Sequence, residues 1–133
     1  MTTELWLLLA AVLLGFAQII LQAQSMNMQR GYRWNAGPRD EVLPPLTGVA
    51  GRLNRALRNF LETFPLFATA VLVAGAGNIH NGLTLWGAWL YVLGRILYVP
   101  LYAFGVPYVR SLAWNVAVLG IFLILTGILR GAT

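Results

Sequence analysis

The chain reads as an all-α integral membrane protein, one four-helix bundle, and three observations predict this. Of 133 residues, 59% are hydrophobic and only 10% charged, less than half the charged share of an ordinary soluble domain. Four apolar stretches each come close to the roughly 20 residues that cross a bilayer as a helix. The length allows a single compact bundle, with no second domain, internal repeat or low-complexity tract. Cysteine is absent, which excludes disulfides, thiolate metal sites and a protein thiol nucleophile. The net charge is +5 and all nine basic residues are arginine, the side chain whose planar fork suits carboxylates. These arginines flank apolar spans instead of forming a soluble basic face, so nucleic acid is not the expected partner. A positive-inside bias explains part of the excess.

The first span is expected over about residues 5–25. Its apolar run is Leu5 to Leu21, and Glu4 is the only charge at its start. A cleaved signal segment would want a basic start and a shorter apolar run, so a retained span is expected. Ala11, Gly15, Gln18 and Gln22 recur at helical spacing on one side. Small and amide residues on one face suit helix packing in lipid, or a polar pocket reached by Gln18 or Gln22. Next comes the one long connection, about residues 26–49, with Arg30, Arg33, Arg39, Asp40, Glu41 and the turn signals Gly37-Pro38 and Pro44-Pro45. It either covers the end of the bundle or stands as a solvated loop.

The second span is expected over about residues 49–76, with Thr47 as N-cap. Its first turns carry Arg52, Asn54, Arg55, Arg58, Asn59 and Glu62. At 100° per residue, Arg55, Asn59 and Glu62 fall within about 60° of one another, flanked by Arg52 and Arg58. Arg58 and Glu62 are an i,i+4 pair. Glu62 lies about 15 Å along the axis from Arg52, well inside the span. Pro65 frees the Leu61 carbonyl and can kink the helix. A glycine-rich hairpin follows, and its Gly75-Ala76-Gly77 lacks the lysine of a phosphate loop. His80 reads as a turn residue.

The third span is expected over about residues 82–104. Trp86, Trp89 and Tyr91 suggest an interfacial belt near its start. Arg95, Tyr98 and Tyr102 follow i, i+3, i+7 and share a face. A charge at the depth of Arg95 costs a few kcal/mol, roughly, unless paired or wetted. The fourth span, about residues 108–129, begins after Gly105-Val106-Pro107, with Pro107 at a first helical position. Arg110 and Ser111 stand at its start, and Ala113, Ala117, Gly120 and Gly127 form a small-residue face. The first and third connections hold the arginines and the second holds none. Both termini are therefore expected away from the cytoplasm, with the polar cluster opening toward it.

In an antiparallel bundle, Arg52, Arg55, Arg58, Asn59 and Glu62 meet Arg110 and Ser111 at one end, and Tyr98 and Tyr102 reach the same level. The result is a cationic pocket with one carboxylate and two phenols. It suits a small ligand carrying several carboxylates and an ammonium group, Glu62 taking the ammonium. A buried ion-pair network fixing helix register, with Glu62 held by Arg55 or Arg58, is the plainer alternative. The surplus of arginine over carboxylate argues against it.

The block Arg52-x-x-Arg55-Ala56-x-Arg58-Asn59-x-x-Glu62-x-x-Pro65 resembles the second-helix signature of the membrane-associated proteins in eicosanoid and glutathione metabolism, the MAPEG family. Gly94-Arg95, Tyr98, Tyr102 and Pro107-x-x-Arg110-Ser111 are similar to its third helix and fourth-helix start. The run Glu62-Thr63-Phe64-Pro65-Leu66-Phe67 and the loop Pro38-Arg39-Asp40-Glu41 resemble the short bacterial branch, which implies a bacterial inner membrane. The resemblance implies a homotrimer of four-helix bundles with glutathione as co-substrate between neighbouring subunits. By residue match, Arg55, Asn59, Glu62, Tyr98 and Tyr102 hold glutathione, and Arg52, Arg58 and Arg95 shape or line the pocket. Arg110, with Ser111, sits by the sulfur. A nearby guanidinium lowers a thiol pKa and supplies the nucleophile, which then meets a hydrophobic electrophile or peroxide arriving from the lipid. Where the eicosanoid enzymes carry a tyrosine one turn after Ser111, this chain has Trp114, which speaks against prostaglandin-type isomerisation. The rival expectation is a non-catalytic membrane subunit or lipid-binding protein that keeps the fold. A small exporter would want a carboxylate deep in the first span, and none is there.

Overall fold

Apolar periodicity and turn chemistry produce five helices in the computed structural model, which describes all 133 residues: α1 Thr3–Arg30, α2 Tyr32–Ala36, α3 Gly48–Ala76, α4 Gly82–Ala103 and α5 Pro107–Gly131. The four long ones are long and apolar enough to cross a membrane, and the chain is an integral multi-pass membrane protein. Their order makes α1 and α4 run antiparallel to α3 and α5. The C-terminus of α1, the N-terminus of α3, the C-terminus of α4 and the N-terminus of α5 therefore share one end.

The four long helices overlap the expected spans with different boundaries. α1 is a turn longer than expected, because Gln22, Ser25 and Asn27 bind within it or to its neighbours. Gln22 donates to Asn54 at 3.4 Å, Ser25 donates to the Gln22 carbonyl at 2.9 Å, and Asn27 accepts from Asn35 at 2.6 Å. The long connection is not structureless. It contains α2, which packs only on α1, so this helix does not cap the bundle. Thr47 is the N-cap residue of α3, but its hydroxyl makes no capping bond. It accepts instead from Gln29 Nε2 at 3.1 Å, and its backbone N–H donates to Gln29 Oε1 at 3.0 Å. α3 and α4 stay continuous through Pro65 and Pro100.

The stripe on α1 faces inward: Leu7, Ala11, Gly15 and Gln18 are buried. A Cβ on Gly15 would touch the Phe60 ring at 3.0 Å, so α1 and α3 meet closely there. The tightest contact joins α4 and α5. A Cβ on Gly87 would meet the Gly120 carbonyl at 2.5 Å, and one on Gly94 the Ala113 carbonyl at 2.9 Å. Ala113, Ala117, Gly120 and Gly127 all lie buried on this seam, as the small-residue pattern predicts. Phe67 and Tyr91 stack at 4.0 Å in the core, and the Tyr91 hydroxyl shares a 3.0 Å hydrogen bond with Thr63. At the other end, the Asn81 side chain accepts from the Leu83 and Thr84 N–H groups in a capping box. Thr84 donates to the buried Glu4 carboxylate at 2.8 Å, and His80 lies 3.8 Å from the same oxygen.

Candidate functional site

The register set by these seams brings one wall of α3 against the last two turns of α4 and the first turn of α5. Asn59, one turn below Arg55, accepts from Arg95 Nη1 at 2.7 Å. Arg95 is fully buried, and its guanidinium lies 4.4 Å from the centre of the Tyr98 ring and 5.5 Å from that of Phe60. Tyr98 and Tyr102 pack at 5.5 Å with their planes tilted 54°. Tyr102 accepts from Arg55 Nε at 3.1 Å and carries the Arg110 guanidinium 4.4 Å from its ring centre. Arg52 donates to the Ala103 carbonyl at 2.9 Å, closing the C-terminal turn of α4. That turn depends on Gly105, whose φ of 71° a side chain would strain and which packs beside Arg52.

Arg52, Arg55, Asn59, Arg95, Tyr98, Tyr102 and Arg110 thus form one contiguous cluster drawn from three helices. Three other expected site residues make no side-chain hydrogen bond, ion pair or ring contact with it. Arg58 and Glu62 are exposed and line a groove of about 340 Å³ on the outer face of α3, with Asn54, Leu57 and Leu61. Ser111 is exposed and no side-chain hydrogen bond ties it to the cluster. Around α3, Glu62 falls only about 20° from Arg55 and Arg58 about 60°, on the exposed edge of the same face, and the Glu62 charge reaches Tyr98 of α4 through space; Ser111 is rotated about 100° from Arg110.

No arginine of the cluster is neutralised. The one ion-pair contact in the chain is His80 with Glu4 at the opposite end, and Glu62 pairs with neither Arg55 nor Arg58. The alternative of a register-fixing ion-pair network is therefore not what the helices build. Arg95 keeps two guanidinium nitrogens without partners, Nε and Nη2, held only by ring faces and one amide. Gly15–Phe60 and Gln22–Asn54 contacts bracket Gln18 on α1, so it lies near the level of Asn59. Both polar atoms of the Gln18 side chain are buried without partners.

Trp114 joins this neighbourhood. It packs with Leu101 and Tyr102 against Ala56, Tyr98 and Ala113, four residues after Arg110 and so one turn above it. Its indole N–H is buried and unpartnered. The pattern of polar residues does not reveal this role, because tryptophan in a span usually reads as belt or core. Its signals are the i,i+4 spacing from Arg110 and its place where the resembled enzymes carry a tyrosine.

The arrangement can hold anions. Four guanidinium groups, two phenols and one amide converge with no carboxylate among them, while the exposed carboxylate of Glu62 stands nearby on α3. A family model for the MAPEG family matches residues 7–130. No curated protein matches the chain.

Proposed function

The chain belongs to the MAPEG family, and from that premise we propose that it is a membrane-bound glutathione-dependent transferase or peroxidase acting on hydrophobic electrophiles. Membership itself supports a glutathione-related transferase or a related function in general. The observation that carries the finer reading is the uncompensated cluster of Arg52, Arg55, Arg95 and Arg110 around Tyr98, Tyr102 and Asn59. Glutathione supplies what the cluster lacks: two carboxylates for the arginines and an ammonium for Glu62. Arg55, Asn59, Tyr98 and Tyr102 would hold it, with Arg52, Arg58 and Arg95 shaping the pocket.

Arg110, with Ser111 beside it in sequence, is the candidate for the chemical step. A thiol with a pKa of about 8.5 is only a few per cent ionised at neutral pH. A guanidinium close to the sulfur favours the thiolate by direct charge attraction. The thiolate then forms a bond to an electrophilic carbon, as that carbon's π bond or bond to a leaving group breaks and the displaced electron pair takes a proton. With a peroxide it attacks one oxygen, the S–O bond forming as the O–O bond breaks, and the departing oxygen takes a proton to leave as alcohol. Glu62 and Arg58 face outward from their own bundle, which supports a homotrimer in which a second copy supplies the opposing wall. The arginine bias supports a site open to the cytoplasm, with both termini across the membrane, and the resemblance to the short bacterial branch points to a bacterial inner membrane.

One observation favours a second reading, a non-catalytic subunit or lipid-binding protein. An apolar groove of about 450 Å³ runs between α3 and α5, lined by Leu66, Val73, Ile121, Leu125 and Leu129 among others, and its shape and lining suit an acyl chain. Adding glutathione to the purified protein and following thiolate absorbance separates the two. Thiolate should form in the native protein and disappear in Arg110→Ala. No glutathione binding by the native protein sinks the enzyme reading.

A further inference from the structure

The connection between α1 and α3 is polar, long and rigidly framed. Trp34 lies between two guanidinium groups, Arg30 at 4.8 Å and Arg39 at 5.6 Å from its ring centre. Its indole N–H donates to the Glu41 carbonyl at 3.0 Å. Arg30 donates to the Pro44 carbonyl at 2.8 Å, and Arg39 Nε to the Asn35 carbonyl at 3.0 Å. Gln29 ties the far end of the loop through Thr47. This frame presents Arg33 with no side-chain hydrogen bond, and Arg39 with side-chain hydrogen bonds to Asn35 alone. Both are exposed, and neither Asp40 nor Glu41 forms an ion pair with any arginine.

The length of α1 locates this frame relative to the bilayer. Its 28 residues reach about 42 Å at 1.5 Å each, against a hydrocarbon core of about 30 Å. The apolar run stops at Leu21, so the turns from Gln22 to Arg30 cross the headgroup layer and set the loop on its surface. Tyr32 and Met28, 73% and 88% exposed, flank the loop as interfacial side chains would. Eight of the nine arginines lie in this half of the bundle against three carboxylates.

We propose that the 31–47 loop is a docking surface for anionic phospholipid head groups, with Arg33 and Arg39 gripping phosphodiester oxygens from the frame built on Trp34. The chemistry is complementary: a guanidinium fork matches a phosphate oxygen pair. Basic side chains at a membrane surface favour anionic lipid by a substantial factor each. The surface is distinct from the arginine cluster, sharing none of its residues, and does not depend on the reading of that cluster.

The test uses the full chain reconstituted in nanodiscs of equal parts phosphatidylcholine and phosphatidylglycerol, with the lipid retained after detergent extraction quantified by mass spectrometry. The native protein should retain phosphatidylglycerol preferentially. Arg33→Gln/Arg39→Gln should cut that preference by about tenfold, and Arg33→Lys/Arg39→Lys should keep most of it. Arg110→Ala should leave it intact, and inorganic phosphate should not displace the lipid. Circular dichroism in phosphatidylcholine alone checks that the variants fold. No preference in the native protein overturns the proposal. So does a preference that survives Arg33→Gln/Arg39→Gln, vanishes in Arg110→Ala, or is competed away by free phosphate.

Discussion

Arg110 lays its guanidinium 4.4 Å from the centre of the Tyr102 ring. Through that contact the first turn of α5 meets the last turn of α4. The same phenol accepts from Arg55 of α3, so one side chain joins the three helices that frame the site. Tyr102 is accordingly the residue whose replacement should separate positioning from charge.

Tyr102→Phe keeps the ring beneath Arg110 and removes the acceptor of Arg55. Glutathione affinity should fall several-fold, in keeping with about 1 kcal/mol for one hydrogen bond, with thiolate formation retained. Tyr102→Ala removes both contacts. A cation–π contact of about 0.5–2 kcal/mol is lost in addition, so affinity should fall at least about tenfold and the thiolate signal should weaken. Calorimetric titration and thiolate absorbance read the two effects separately. Equal behaviour of the two variants would mean that the Arg110 contact does not orient that side chain.

The Asn59–Arg95 pair yields a sharper energetic test. Arg95 is fully buried, with the Asn59 amide as its one hydrogen-bond acceptor. Asn59→Ala strands the charge. Hydrogen bonds to charged groups are worth about 1.5–3 kcal/mol, and removing one partner costs more than removing both. Asn59→Ala should therefore destabilise the protein more than Asn59→Ala combined with Arg95→Met does over its own Arg95→Met background. Thermal unfolding of the four proteins in detergent closes the cycle. Additive effects would show that Asn59 is not what satisfies Arg95.

Much of this site is legible in the sequence. The spacing of Arg52, Arg55 and Asn59, and of Arg95, Tyr98 and Tyr102, reports helix faces, and helix faces decide which side chains can meet. The antiparallel order then brings the faces to one level. What spacing cannot report is which side of a face is turned inward. Arg58 and Glu62 lie close in angle to Arg55 but are exposed, and they do not pair with each other, in line with the arginine surplus that argues against an ion-pair network. Gln18, which the sequence leaves open between packing and a polar pocket, and Trp114, noted only as standing in place of a tyrosine, are ambiguous for a different reason. Each is ordinary by residue type in a span, and only burial without a partner distinguishes it. The end of α1 was misplaced because its last turns are polar and owe their helical form to bonds with α3 and the loop.

The α4–α5 seam predicts a graded response to added volume. A Cβ at Gly120 would lie 2.7 Å from the Tyr91 backbone nitrogen and 3.2 Å from the Leu90 Cβ, and neither neighbour is a flexible side-chain tip. Gly120→Ala should cost about 1–3 kcal/mol through overpacking, with a matching fall in unfolding temperature. Gly82 at the start of α4 has nothing within 4 Å of its Cβ position. Gly82→Ala should be neutral or stabilising by up to about 1 kcal/mol. The comparison tests the seam itself, since both changes add the same methyl group. A tolerated Gly120→Ala would show that α4 and α5 can separate without loss.

Glu62 separates the stability of the bundle from its ligand binding. It is exposed and unpaired, so the folded chain draws no ion-pair stabilisation from it. Glu62→Gln should leave thermal unfolding within about 0.5 kcal/mol of native. If Glu62 receives the ammonium of glutathione, the same change removes a charge-assisted bond of about 1.5–3 kcal/mol, and affinity should fall roughly ten- to a hundred-fold. Des-amino glutathione sharpens the comparison, because it lacks the group that Glu62 would hold. Native protein should bind it weakly, and Glu62→Gln should bind it about as well as it binds glutathione. If Glu62→Gln still discriminated between the two ligands as the native protein does, the ammonium would be recognised elsewhere. The outward turn of Glu62 on α3 would then belong to contact between copies of the chain and not to the ligand.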